Sequence, residues 1–195
     1  MFWILVLAHL MADYPLQTDR MVLAKKHLPG LLLHVGIHLL VMIVLFLPVI
    51  EVAWPYLLVV AVCHFFIDAF KNFLGRKRPH WVIRSYVLDQ TLHLISLILV
   101  GTWMDRTTDL PVWPVIAPWV VIVTGLLLAT YIWFISERIL VYQIDQRQWA
   151  VTASMWPRMG VRLLLYALVV APFWFTGVLS LAAIIAVIFL YRRSE

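Results

Sequence analysis

Four pairs of side chains able to bind a metal or move a proton recur at one spacing: His9 with Asp13, His34 with His38, His64 with Asp68, and Asp89 with His93. Residues i and i+4 share one face of an α-helix, so each pair can turn two ligand atoms toward a single centre. With seven His and ten acids in 195 residues, chance would give roughly one or two such pairs, scattered at random depths. Imidazole and carboxylate together point to a divalent metal, zinc first, with iron or manganese as alternatives. Eight ligands suit two ions better than one, because a centre that keeps a position open needs only three or four protein ligands. The single cysteine, Cys63, excludes an intrachain disulfide and a Cys-rich metal site.

The elements that must position these pairs are membrane helices. The chain is 64% hydrophobic and only 13% charged, with a mean hydropathy of +0.95. One soluble core of this size cannot hide that much apolar surface. A soluble enzyme, a nucleic-acid-binding module and a disordered chain are excluded, and the net charge of +5 reads as topology. Apolar runs bounded by charges, Pro and Gly predict spans over 31–50, 54–70, 86–104 and 112–135. The stretch 2–12 is apolar but short. It lacks the basic leader and small-residue cleavage site of a signal peptide, so it is expected to remain as a first segment whose helix stops near Tyr14, ahead of Pro15. That stop leaves Gln17 and Asp19 in a loop able to fold over the site. The stretch 161–191 is too long for one perpendicular span and carries Pro172 and Gly177, so a hairpin of two short helices is expected. The fold class is therefore an all-α polytopic bundle of about seven membrane segments, treated as one domain. Residues 1–104 form the metal-site bundle and 105–195 the scaffold.

With the N-terminus outside, fourteen of the fifteen Lys and Arg residues fall in cytoplasmic loops or the C-terminal tail, leaving only Arg106 opposite. This is the asymmetry expected of a multi-pass protein of the bacterial inner membrane. The same topology brings all eight paired residues into one layer near the cytoplasmic face, one pair in each of the first four spans. Bundles build His and carboxylate metal sites in this way.

Within that layer Asp68 and Asp89 are the candidates for bridging two ions or activating a water. Lys71, one turn beyond Asp68, is either a substrate-phosphate ligand or a lysine snorkelling to the interface. Gln17 and Gln90 are candidates for orienting ligands or binding substrate. Against the metal site stands a buried hydrogen-bonded network that merely holds the bundle together. The several negative charges, with no cation expected from the helices, weigh against that network. His27 and His80 lie among basic loop residues and read as interfacial.

The strings His9-Leu-Met-Ala-Asp13-Tyr-Pro-Leu-Gln17-Thr-Asp19, Ala24-Lys25, His34-Val-Gly-Ile-His38, His64-Phe-Phe-Ile-Asp68-Ala-Phe-Lys71 and Leu88-Asp89-Gln90-Thr-Leu-His93 resemble the bacterial membrane-protein family of domain of unknown function 3307. The resemblance covers roughly residues 1–100. It implies no reaction. The ligand pattern is also similar in style to metal-dependent membrane hydrolases and to helical zinc phospholipases and nucleases.

From residue 112 onward the expected membrane segments carry no His and no acid. They read as scaffold, lipid-facing wall or oligomer contact over 112–191, while the Trp- and Arg-containing stretch 136–159 suits a helix along the cytoplasmic headgroups. The function expected is metal-dependent hydrolysis of a lipid-linked phosphoester from the cytoplasmic side, with membrane lipid rather than nucleic acid as partner. The alternatives are a di-iron oxidoreductase, a metal transporter and a non-catalytic protein with a structural polar network. The first needs more histidines, and the second needs polar groups that continue across the bilayer.

Overall fold

A computed structural model describes residues 1–108, 110, 117–145 and 154–170. Among these, all regular structure is helical. Two compact units divide the chain at Thr124.

The first unit is built on a ring of four helices. Helix α1 spans Phe2–Asp13, and its last turn closes where Tyr14 N–H donates to Leu10 O at 3.1 Å, ahead of Pro15. The stop lies where the proline ring predicts it. Eight of its twelve residues are buried, which explains its apolar character on every face. At 1.5 Å per residue it is about 18 Å long, so it serves as an interior element of the bundle. A short helix, α2 (Asp19–Ala24), follows, with the Thr18 side chain accepting from Met21 N–H at 3.3 Å and Asp19 in the first turn.

Helix α3 (Leu28–Phe46) begins with Pro29, whose missing N–H costs nothing in a first turn. A single 3₁₀ turn, Leu47–Val49, reverses the chain into α4 (Ile50–Lys77), and α5 (Val82–Thr107) follows. The runs Leu28–Lys77 and Val82–Thr107 are long and apolar enough to cross a membrane, as is Trp119–Val141. Helix α1 packs on α3 and α5, α3 packs on α4, and α4 packs on α5, which closes the ring. Neighbours run antiparallel. Tyr56 near the start of α4 bonds Thr107 at the end of α5 at 2.6 Å, and Lys71 meets Asp89 at the opposite end. At Gly101 the missing side chain lets α1 approach α5: a Cβ there would lie 3.1 Å from Phe2 Cα.

The ring is apolar outside and divided inside. Leu33, Leu40, Leu58, Phe66, Ile95 and Leu99 point outward and are exposed, as suits a lipid-facing wall. One end of the interior is filled by Leu5, Met42, Phe46, Leu57 and Met104. Polar side chains fill the other end. The inward seams keep a spacing of three or four: Leu31, His34, His38, Met42 and Phe46 on α3, and Asp89, His93, Leu97, Val100 and Met104 on α5.

Two helices outrun the spans read from the sequence. Helix α4 continues beyond residue 70 to Lys77, because falling hydropathy ends a bilayer span without ending a helix. Helix α6 (Ala117–Leu127) runs on past residue 135, through a π-helical turn at Leu128–Ile132 into α7 (Trp133–Asp145), so this helical run does contain an acid, Glu137. In the second unit α7 and α8 (Met155–Val170) carry a small core of Phe134 and Met159 packed by Tyr131, Ile135, Val141 and Met155. Glu137 pairs there with Arg158 and Arg162, and the Arg162 guanidinium lies 5.3 Å from the Trp133 ring centre. Arg162 is thus buried. The second half of the expected 161–191 hairpin, from residue 171, the 146–153 part of the headgroup helix and the 112–116 part of the fifth span lie outside the described residues.

Candidate metal centre

The four pairs converge. Each lies at the same end of the ring: His9 and Asp13 close α1, His34 and His38 fall in the first turns of α3, His64 and Asp68 in the second half of α4, and Asp89 and His93 near the start of α5. Asp13 Oδ1 is 3.0 Å from His34 Nε2 and 3.1 Å from His38 Nε2, while its Oδ2 is 3.5 Å from His9 Nε2. His34 and His64 approach through their Nε2 atoms at 3.2 Å. Asp68 links three helices, with Oδ2 at 3.4 Å from His34 Nε2 and 3.7 Å from His64 Nε2, and Oδ1 at 3.8 Å from His93 Nε2. His93 Nε2 in turn lies 3.5 Å from Asp89 Oδ1. The rings crowd together as well: His38 and His64 are tilted with centroids 3.7 Å apart, and His64 and His93 stack at 4.3 Å.

Three subsets bring their ligand atoms within 4.8 Å of one another: Asp13, His34, His38 and His64; His9, His64 and His93; and Asp68, Asp89 and His93. These groups could hold a metal ion. Four of the converging atoms, His9 Nε2, His93 Nε2, Asp68 Oδ1 and Asp89 Oδ1, are buried without a hydrogen-bond partner. Unsatisfied polar atoms are costly in a buried site, and a cation placed among lone pairs satisfies them together. The donor set fits a divalent metal on that ground.

Surrounding side chains fix the paired residues. Gln17, in the loop after α1 as expected, donates to Asp13 Oδ1 at 3.0 Å. Asp19 instead opens α2. Gln90 donates to Asp89 Oδ2 at 3.0 Å and accepts from Tyr14 at 3.1 Å. Burial, reinforced by Tyr86, raises the Tyr14 phenol above its ordinary range, so it stays a neutral donor. Lys71 donates to Asp89 Oδ2 at 2.6 Å, and its side chain is 30% exposed where the eight paired side chains are at most 8% exposed. It therefore marks the way from the cluster to the surface. His27 and His80 are exposed and outside the cluster.

Lys25 overturns one expectation. In sequence it is a loop charge beside Lys26, yet it is buried and donates to Asp68 Oδ2 at 3.1 Å. The bundle does supply cations: Lys25 and Lys71 face two of the three carboxylates, and Asp13 alone is left among imidazoles. A buried role for Lys25 has no local signature, because it depends on where α2 docks on α3.

The family described as Protein of unknown function (DUF3307) matches residues 1–122. The chain belongs to this family. The DUF3307 match takes in α1 to α5 whole, and with them all eight paired residues, both lysines and both glutamines. No curated protein and no solved structure matches the chain.

Proposed function

We propose that this DUF3307 member is a membrane-embedded metal-dependent hydrolase that cleaves a lipid-linked phosphoester through a two-ion His/Asp centre. The observation that carries the reading is the convergence of five Nε2 atoms and three carboxylates from four helices, four of the converging atoms lacking a hydrogen-bond partner. Seven of the eight residues sort into two groups with no member in common, which suits two ions. Zinc is the first choice because imidazoles dominate, with iron or manganese next. Bound ions of this kind acidify a water and polarise a phosphoryl oxygen. Asp68 and Asp89, which fall in the same group, would hold one of the ions or take the water's proton. Lys71, the most open group, would bind a phosphate oxygen.

The apolar end of the ring supports entry of a polar head from the site's end only, with the tail along the exposed apolar wall. The run of basic residues at Arg76, Lys77 and Arg78, at the same end, supports a cytoplasmic mouth in an inner-membrane protein of about seven segments. A second reading is a structural polar network, favoured by the pairing of Lys25 with Asp68 and of Lys71 with Asp89. Elemental analysis of the purified protein, followed by assay of phosphate release from a lipid phosphoester, separates them. About two equivalents of transition metal and chelator-sensitive hydrolysis are expected. A metal-free, fully folded protein sinks the hydrolase and leaves the network.

A further inference from the structure

The two groups without a common member differ in how their charge is already met. Asp13, His34, His38 and His64 present one carboxylate, whose charged partners among the described residues are imidazoles only. Asp68, Asp89 and His93 present two carboxylates, and each carries an ammonium: Lys25 at 3.1 Å from Asp68 and Lys71 at 2.6 Å from Asp89.

Lys25 is held as an internal part of the site. Its carbonyl accepts from Asn72 Nδ2 of α4 at 2.7 Å. Just before it, the Ala24 carbonyl lies in the space that a side chain at position 30 would need: a Cβ on Gly30 would fall 2.2 Å from that oxygen. Glycine at 30 and the Asn72 bond therefore deliver the ammonium to Asp68 at the end of a docked segment.

We infer that the centre consists of two unequal metal positions that fill in order, the imidazole-rich one first, because Lys25 and Lys71 act as built-in counter-ions that compete for the second. The inference rests on the metal-centre reading above. An ion entering between Asp68 and Asp89 must share both carboxylates with ammoniums a few ångströms away, and like charges repel strongly in a buried setting. An ion entering among Asp13, His34, His38 and His64 finds no ammonium paired with its own carboxylate and gains three imidazoles. Lys25 thus sets the affinity of the second position without ligating either ion.

The test is a zinc titration of the full-length, chelator-stripped protein in detergent, read by equilibrium dialysis and metal analysis. Wild type should bind two ions in separate steps. Lys25→Met should leave the first step within about threefold and tighten the second by about tenfold, the smaller end of what outer partners do to metal affinity. Lys25→Arg, which keeps the charge, should behave as wild type, and His38→Ala should weaken the first step. If Lys25→Met does not fold, Lys71→Met reads the same competition at Asp89 from a more open position. Two equal steps in wild type, a second step unmoved by either lysine variant, or one ion in every variant would overturn the inference while leaving a metal centre. Failure of zinc to bind any variant would overturn both.

Discussion

The Nε2 atoms of His34 and His64 lie 3.2 Å apart, on helices that run antiparallel. A neutral imidazole carries one N–H, so in this contact one ring must offer its lone pair to the other, while both Nε2 atoms also face Asp68 Oδ2. Turning the same nitrogen of several rings into one space spends hydrogen-bonding capacity that a metal would use in full.

Zinc should therefore stabilise the fold. A ligand at one hundred times its Kd adds about 2.7 kcal/mol, which is roughly 5–10 °C in a chain of this size. Thermal melts in detergent, with zinc and with chelator, should show that gap, and His34→Ala should erase most of it. Equal melting with and without zinc would count against the metal centre.

Asp68→Asn tests the carboxylate that touches most of the site. It keeps size and hydrogen bonding but removes the negative charge facing Lys25, His34, His64 and His93. Metal content should fall, and hydrolysis of a lipid phosphoester should drop by orders of magnitude. Membrane insertion and yield should persist, because they rest on the apolar spans. Undiminished turnover in Asp68→Asn would remove the role assigned to this residue.

The paired residues were legible in the sequence because a four-residue spacing is a local property of one helix, and their common end followed from span order alone. Pro15 likewise announced the end of α1. Lys25 was not legible: a lysine beside Lys26 in a basic loop reads as topology, and only the docking of α2, through Gly30 and Asn72, carries it inward. Glu137 was missed for a related reason. The helix runs on through a π turn beyond the point where hydropathy falls, and Arg158 and Arg162 then meet the acid from α8.

Gly30 and Gly36 give a paired test of that docking. A Cβ at 30 would collide with backbone, the Ala24 carbonyl, whereas at 36 nothing lies within 4 Å. Gly30→Ala should cost about 1–3 kcal/mol, as other overpacked sites do. Gly36→Ala, within a helix and unopposed, should be neutral or stabilising by about 0.5–1 kcal/mol. Melting temperatures of the two variants should diverge accordingly, and an equally stable pair would mean that α2 does not sit against α3 as described.

Lys71→Ala asks what the most open charged group of the cluster does. Its ammonium holds Asp89 at 2.6 Å, yet nearly a third of the side chain is exposed, so it can exchange the carboxylate for an incoming anion without crossing the apolar core. If it binds the substrate phosphate, Lys71→Ala at saturating zinc should keep both ions and lose turnover by about 10–100-fold, since a charge-assisted hydrogen bond contributes roughly 1.5–3 kcal/mol. Lys71→Arg should recover part of the loss. Metal content and phosphate release measured on the same preparations decide the matter: unchanged turnover in Lys71→Ala would leave the residue as an interfacial lysine, and loss of metal together with turnover would make it a support of Asp89 and not a substrate ligand.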